Sequence, residues 1–246
     1  MATVGGDFGR YRAWLERHGI DQRHIRELPD TLCAQAYITT DLDDNQITAF
    51  HPGAMNHAHL NQVPAAAGLK LGMISPDGRD GMLEHAEQFH AAGVPFIFDP
   101  GQGLPMFGGE ELRRFIELAS WVAVNDYESR LLSERTGWNE AELARHVDAF
   151  IVTRGAQGST IWANGECITI PAVKPAAVLD PTGCGDAYRA GLLFGLSRGL
   201  GWEETGRIAA LLGAIKIAHR GTQNHQFSPV SLAQEFRAAF GHAPGF

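Results

Sequence analysis

The sequence predicts an α/β protein whose central sheet is mainly parallel. From residue 71 onward, short β-rich runs alternate with helical patterns, an order typical of a parallel sheet with helices on its faces. The 246 residues are 44% hydrophobic and 20% charged, which suits an ordinary globular protein with a sizeable core. We therefore expect a single domain over residues 1–246, with a small β lid at about residues 31–55.

The first elements are a strand, a helix and a hairpin. Residues 2–4 have the character of a short strand, and a helical pattern over residues 10–18 is closed by Gly19. Two β-rich runs at residues 33–40 and 46–50 flank the polar segment DLDDN, which is the pattern of a hairpin. We assign this hairpin to the lid.

The repeating part of the chain contains four strands and three helices in alternation. The strands are predicted over residues 71–75, 95–99, 121–125 and 149–153, and the helices over residues 82–91, 110–119 and 127–136. A second hairpin follows at residues 159–162 and 167–170, turned by Asn164 and Gly165. Three helices close the chain: one after Asp186, one over residues 203–218 and one over residues 229–240.

Composition excludes several classes of partner. The net charge is −8 and the basic residues are scattered, so we expect no nucleic-acid partner. No run approaches the roughly 20 apolar residues of a membrane span, and the N-terminus lacks the form of a signal peptide. We therefore expect a cytoplasmic protein with no membrane partner. Cys33, Cys167 and Cys184 lack metal-ligand spacing and are expected to be reduced thiols.

The segment DPTGCGD at residues 180–186 is the most informative motif. It is a glycine-rich turn that opens a helix, and the first amides of a helix are free to bind an anion. The amides of Gly183, Cys184 and Gly185 are therefore expected to hold a transferring phosphoryl group without any basic side chain. Asp186 is a candidate proton acceptor, although an acidic residue at a helix start also complements the helix dipole.

Other candidate residues follow the predicted strands, where ligands bind to open parallel sheets. Asn125 and Glu128 could contact phosphate and hydrated magnesium, but their spacing is also that of a helix N-cap with its reciprocal acidic partner. The segment TRGAQG at residues 153–158 could cradle phosphate or form an ordinary turn into the hairpin. His51, His57 and His59 are interpreted as loop residues rather than metal ligands, and His85 and His90 as surface polar groups.

Three of these motifs together resemble those of the ribokinase-like PfkB carbohydrate kinases. DPTGCGDAYRAG resembles the second signature of the family, NDYE its N-x-x-E motif, and VTRGAQG its nucleotide-phosphate strand and turn. The segments TTD, FHPGAM, NDYESRLLSERTGW and HRGTQNH are most similar to the bacterial adenosine kinases within the family. The resemblance implies a three-layer α/β/α sandwich, phosphoryl transfer from ATP with Mg²⁺, and adenosine as the acceptor that becomes AMP.

The resemblance also implies a role for each matching residue. Asp186 would be the general base, and Gly183, Cys184 and Gly185 would form the anion hole. The remaining matches divide into a magnesium residue (Glu128), ATP-phosphate contacts (Asn125, Thr153, Gly155 and Gly158) and nucleoside contacts (Phe50 and Gln102). Phe50 could instead be plain lid packing. A sugar kinase and a non-catalytic nucleotide-binding protein stay open as alternatives.

Two departures from the family pattern lead to further expectations. Cys184 stands where a small apolar residue is usual, which should be tolerated because only its backbone amide is needed. Members usually have several dozen residues before the segment that matches ATVGGDFG, whereas here only Met1 precedes it. We therefore expect the first strand or strands of the sheet to be missing, a sheet edge that invites a homodimer, and ATP binding better preserved than nucleoside phosphorylation.

Overall fold

The computed structural model of the protein describes residues 1–40, 46–64 and 68–245. The strands are β1 (Ala2–Gly5), β2 (Ile25–Leu28), β3 (Gln35–Thr40), β4 (Gln46–His51), β5 (Gly72–Ile74), β6 (Phe96–Phe98), β7 (Trp121–Asn125), β8 (Ala149–Thr153), β9 (Ser159–Ala163) and β10 (Glu166–Ile170). The helices are α1 (Gly9–Arg17), α2 (Arg79–Ala91), α3 (Gly109–Leu118), α4 (Asp126–Thr136), α5 (Glu140–Leu143), α6 (Cys184–Ser197), α7 (Trp202–Ile217) and α8 (Pro229–Phe240). Short 3₁₀ helices cover Gly53–Leu60, Gly101–Met106 and Gly155–Gln157.

The main sheet has six strands in the order β10-β9-β8-β7-β6-β5. Strands β5 to β8 run parallel, as the alternation of strands and helices predicts. The β9–β10 hairpin then adds two antiparallel strands. Its turn contains Asn164 and Gly165, both with positive φ, so the predicted two-residue turn is confirmed.

Alternating side chains of the parallel strands face two different helical layers. Phe96 and Phe98 of β6 pack with residues of α2 and α3 in one apolar cluster. Ile97, between them, belongs to a second cluster that includes Tyr188 and Leu192 of α6. Because successive side chains of a strand point to opposite faces, this division places helices on both sides of the sheet. The predicted three-layer α/β/α sandwich is confirmed.

The N-terminal strands form a separate pair. β1 pairs in parallel with β2, a strand that the sequence analysis did not predict, and within the described residues neither belongs to the main sheet. A cavity of about 460 Å³ lies between this pair and the main sheet, lined by Met1 and Ala2 on one side and by Met73 and Ile74 of β5 on the other. The cavity is therefore bordered by β1 and by the edge strand β5 of the main sheet.

The lid hairpin consists of β3 and β4, which pair antiparallel from Gln35 with His51 to Thr40 with Gln46. The turn expected at residues 41–45 lies outside the described residues. No helix of the described chain is long and apolar enough to cross a bilayer.

One interpretation of the histidines is wrong. His85 is not a surface group: its side chain is buried, and its Nε2 lies 3.0 Å from the carbonyl oxygen of Asn61. The Asn61 amide in turn donates to Thr3 Oγ1 of β1 at 2.9 Å. His85 of α2 is therefore part of the polar contact that fixes β1, because a buried polar side chain needs a partner.

Candidate active site

The turn before α6 has the geometry of an anion-binding loop. Gly183 is the N-cap of α6 with φ of +86°, a left-handed conformation that favours glycine. A Cβ atom at Gly183 would also lie 3.3 Å from the Cβ of Thr222. The amide of Cys184 already donates to the carbonyl of Pro181 at 3.1 Å. Among the described residues, the amides of Gly183 and Gly185 donate to no protein acceptor, so these two are available to an anion.

Asp186 lies in the first turn of α6 and is exposed. Its carboxylate makes no hydrogen bond or ion pair with any described residue. A carboxylate beside free helix amides, with no partner of its own, can accept a proton from a hydroxyl that approaches the same turn.

The turn is anchored on the end of α7. One carboxylate oxygen of Asp180 accepts from the amide of Thr182 at 2.9 Å, and the other accepts from the amide of Gly221 at 2.8 Å. These amides lower the pKa of Asp180 to about 2. Behind the turn, the ammonium of Lys216 donates to the Asp180 carbonyl at 2.8 Å.

Asn125 and Glu128 form the helix cap that the sequence analysis held open as an alternative. The Asn125 Oδ1 accepts from the Glu128 amide at 2.8 Å, and Glu128 Oε2 accepts from the Asn125 amide at 2.8 Å. Burial raises the pKa of Glu128, and the hydrogen bond from the Asn125 amide and the charge of Arg189 offset part of that rise. One oxygen of Glu128 is thus engaged with the backbone, which leaves the other for a ligand.

A buried arginine that the sequence analysis missed joins these elements. Arg189 of α6 donates from Nη2 to Asp99 Oδ1 at 2.9 Å and to the carbonyl of Ala123 at 3.2 Å. The same nitrogen lies 3.8 Å from Glu128 Oε2. Burial raises the pKa of Asp99, and Arg189 opposes that rise. The helix that carries Asp186 is therefore clamped to the end of β6, to the middle of β7 and to the start of α4.

The segment after β8 is a tight turn. Gly155 and Gly158 both have positive φ, and the amide of Gly158 donates to the Gly155 carbonyl at 3.1 Å. A Cβ at Gly158 would lie 2.1 Å from the carbonyl oxygen of Ile170, whereas a Cβ at Gly155 would meet open space. Thr153 pairs in register with Asn125, so these two predicted phosphate contacts lie side by side at the ends of adjacent strands.

The two predicted nucleoside contacts lie on other elements of the fold. Phe50 is on β4, pairs in register with Ala36 and is 54% exposed. Gln102 is exposed in the 3₁₀ helix that follows β6. Neither side chain has a described hydrogen bond to the α6 turn.

The donor set suits a hydrated magnesium ion held mainly by phosphates. Within the described residues, no group of three or more His, Cys, Asp or Glu side chains converges as a metal site. Mg²⁺ usually keeps several waters and takes only one or two carboxylates besides substrate phosphates. The free oxygen of Glu128 fits such a site, in which it would hold the ion through water.

Comparison with known proteins points to one family. The pfkB family of carbohydrate kinases matches residues 1–228. The nucleoside kinase of Methanocaldococcus jannaschii is 32% identical over 228 residues, which cover 92% of this chain and 74% of the relative.

Solved structures show the same likeness. The nucleoside kinase of Burkholderia thailandensis, solved in complex with inosine, is 51% identical with a TM-score of 0.97, over 99% of this chain and 81% of that one. The same enzyme has also been solved with ADP and inosine. The Arabidopsis thaliana ribokinase, solved with ribose and ATP, is 19% identical with a TM-score of 0.77, over 96% of this chain and 81% of that one. At that identity, the last comparison supports the ribokinase fold alone.

Proposed function

Because the chain belongs to the PfkB family of carbohydrate kinases, we propose that it transfers the γ-phosphoryl group of ATP to the 5′-hydroxyl of a nucleoside. The acceptor predicted from the sequence is adenosine, with AMP as the product. The observation that carries the proposal is the exposed, unpartnered carboxylate of Asp186 beside the free amides of Gly183 and Gly185.

In this proposal the protein acts mainly by positioning and charge stabilisation, as is general for phosphoryl transfer. Asp186 accepts the proton of the acceptor hydroxyl as the hydroxyl oxygen attacks the γ-phosphorus, and the bond from the γ-phosphorus to the bridging oxygen breaks, so that ADP leaves. The amides of Gly183 and Gly185 donate to the oxygens on which charge develops, with the amide of Cys184 beside them held by Pro181. The helix dipole of α6 adds positive potential at the same point.

Asn125, Thr153, Gly155 and Gly158 are proposed to line the ATP phosphates. Asn125 and Thr153 lie side by side at the ends of β7 and β8, which supports a shared role. Gly155 has open space where a Cβ would stand, so its backbone can be approached closely. Mg²⁺, when bound, would neutralise charge between the transferred phosphoryl group and the leaving diphosphate, and Glu128 would hold it through water.

The acceptor is proposed to be a purine nucleoside. Phe50 presents an exposed ring on the lid, where it can stack on a base, and Gln102 presents an exposed amide after β6. The inosine complex of the Burkholderia thailandensis relative makes inosine the first acceptor to test beside adenosine. A sugar acceptor remains the second candidate, because the family description covers carbohydrate kinases.

An association of two copies and a cytoplasmic location are also proposed.

The test is mass-spectrometric detection of nucleoside monophosphate after incubation with ATP, Mg²⁺ and either adenosine, inosine or ribose. The control is Asp186→Asn, which keeps the size of the side chain and removes the base. We expect AMP or IMP from the wild-type chain and a loss of roughly 10²-fold or more in kcat for Asp186→Asn, with ATP affinity nearly unchanged.

Three results would contradict parts of the proposal. Phosphorylation of ribose in preference to nucleosides would favour the sugar kinase. ATP binding with no transfer to any acceptor would favour a nucleotide-binding protein without catalysis. Unfolding of Asp186→Asn would give Asp186 a structural role.

A further inference from the structure

Lys216 is a fully buried lysine that no step of the proposed transfer uses. It lies in the last turn of α7, where a positive charge complements the negative end of the helix dipole. A buried ammonium is costly unless it is surrounded by acceptors, so the groups around Lys216 indicate what it does.

Oxygen atoms surround the Lys216 ammonium. Its Nζ donates to the carbonyl of Asp180 at 2.8 Å and to the carbonyl of His219 at 3.3 Å. The carboxylate of Asp180 lies 4.0 Å away, so the third N–H can face an anion. This is a cation held by carbonyl and carboxylate oxygens directly behind the anion-binding turn.

Asp180 also organises the turn itself. The Asp180 amide donates to the Ile217 carbonyl at 3.3 Å, and the Asp180 carboxylate accepts from the Gly221 amide. The next residue of that loop, Thr222, packs against Gly183, the N-cap of α6. Lys216 therefore lies where three pieces meet: the end of α7, the loop after it, and the turn that presents Gly183 and Gly185.

We propose that Lys216 is a positioning residue for the phosphate site. Its ammonium binds the oxygens that would otherwise bind an exchangeable monovalent cation, and it holds the turn in place as such a cation would. The proposal rests on the proposed function. It makes nucleotide binding and phosphoryl transfer independent of K⁺, because the site for a small cation is already filled by the Lys216 side chain.

An independent readout is available in Cys184, at the first position of α6. Burial raises the pKa of the Cys184 thiol, and the Lys216 ammonium opposes part of that rise. Removal of the ammonium should raise this pKa further and slow alkylation of Cys184 at pH 8, because the thiolate is the nucleophile. Exposed Cys167 provides an internal control in the same sample.

The experiment compares the wild-type chain, Lys216→Met and Lys174→Met, which removes an exposed lysine. ADP affinity, KM for ATP and kcat are measured in chloride salts of K⁺, Na⁺ and tetramethylammonium. We expect wild type and Lys174→Met to agree within about twofold in all three salts. For Lys216→Met we expect roughly tenfold weaker ADP binding in tetramethylammonium, partial recovery in K⁺, and slower alkylation of Cys184 alone.

Two outcomes would overturn the proposal. One is a wild-type chain whose ADP affinity rises about tenfold with K⁺, which needs no variant to detect. The other is a folded Lys216→Met with wild-type ADP affinity and an unchanged Cys184 alkylation rate. If Lys216→Met does not fold, Lys216→Arg takes its place, and wild-type behaviour in all salts is then expected. A wild-type chain that binds ADP but transfers no phosphoryl group contradicts the proposed function and leaves the ADP measurements as the test of Lys216.

Discussion

Removal of the Arg189 charge should destabilise the protein strongly, and the loss should depend on pH. The substitution Arg189→Met keeps an unbranched side chain and removes the guanidinium. The side chains of Arg189, Asp99 and Glu128 are only 7%, 10% and 13% exposed. The variant would thus leave two buried carboxyl groups without their cation.

The magnitude follows from the distances. Unit charges 2.9 Å apart, as in the Arg189–Asp99 pair, attract by about 6 kcal/mol at an effective dielectric constant of about 20. Desolvation of the pair opposes this attraction, and removal of one partner of a buried pair costs about 3–5 kcal/mol. We expect a loss in that range in the free energy of unfolding, measured by urea titration with far-UV circular dichroism at pH 7. Arg114→Met breaks an exposed pair with Glu87 and should cost far less, because solvent screens an exposed ion pair.

The stability loss of Arg189→Met should also change with pH in a defined direction. Burial already raises the pKa of Asp99 and of Glu128 in the folded protein, and the loss of Arg189 raises both further. A carboxyl group with a raised folded-state pKa stabilises the fold below its unfolded-state pKa and loses that contribution as pH rises through the folded-state value. The deficit of Arg189→Met should therefore be smaller at pH 5 than at pH 7. A deficit no larger than that of Arg114→Met, or one that does not shrink on acidification, would refute this reasoning.

The remaining predictions concern a turn and a buried phenol. Gly158→Ala should destabilise the protein by clearly more than Gly155→Ala, since both positions have positive φ but only a Cβ at Gly158 meets backbone, at 2.1 Å from the carbonyl oxygen of Ile170. Gly155→Ala should lower the free energy of unfolding by about 1–2 kcal/mol. Equal losses for the two variants in urea titrations would contradict the clash at Gly158. Burial raises the pKa of Tyr188 to about 12, so the phenolate absorbance that Tyr188→Phe removes should appear only near that pH. The folded state should lose stability as the pH rises through this value. Titration of Tyr188 near pH 10 would instead show a solvent-accessible phenol.

The main sheet could be predicted from sequence because its parallel strands are short apolar runs bounded by turn residues, and its hairpin is marked by the Asn164-Gly165 turn. Strand β2 could not, since its sequence IREL has two exposed charged residues at its centre and no alternation. It exists through parallel pairing with β1, a contact between segments more than 20 residues apart. Local patterns do not contain such a contact.

The site could be predicted only where its residues form a local sequence pattern. The glycines of the α6 turn carry a local signal, and the left-handed Gly183 agrees with it. The spacing of Asn125 and Glu128 fits a helix cap and a ligand site equally well, and only the structure shows the cap. The buried charges Arg189 and Lys216 were missed, because their partners Asp99 and Asp180 lie 90 and 36 residues away in sequence. A lone cation within an apolar helical run was the available signal in both cases.

The reciprocal cap at the start of α4 has a consequence for how active and inactive descendants of such a protein would diverge. Asn125 and Glu128 each satisfy a backbone amide of the other, so folding alone would select for both. The side chain of Asp186 bonds to no described residue, so apart from a modest helix-dipole interaction only chemistry would preserve it. A lineage that abandoned phosphoryl transfer would lose Asp186 first and keep the N-x-x-E pair, which makes Asp186 the better marker of a working enzyme.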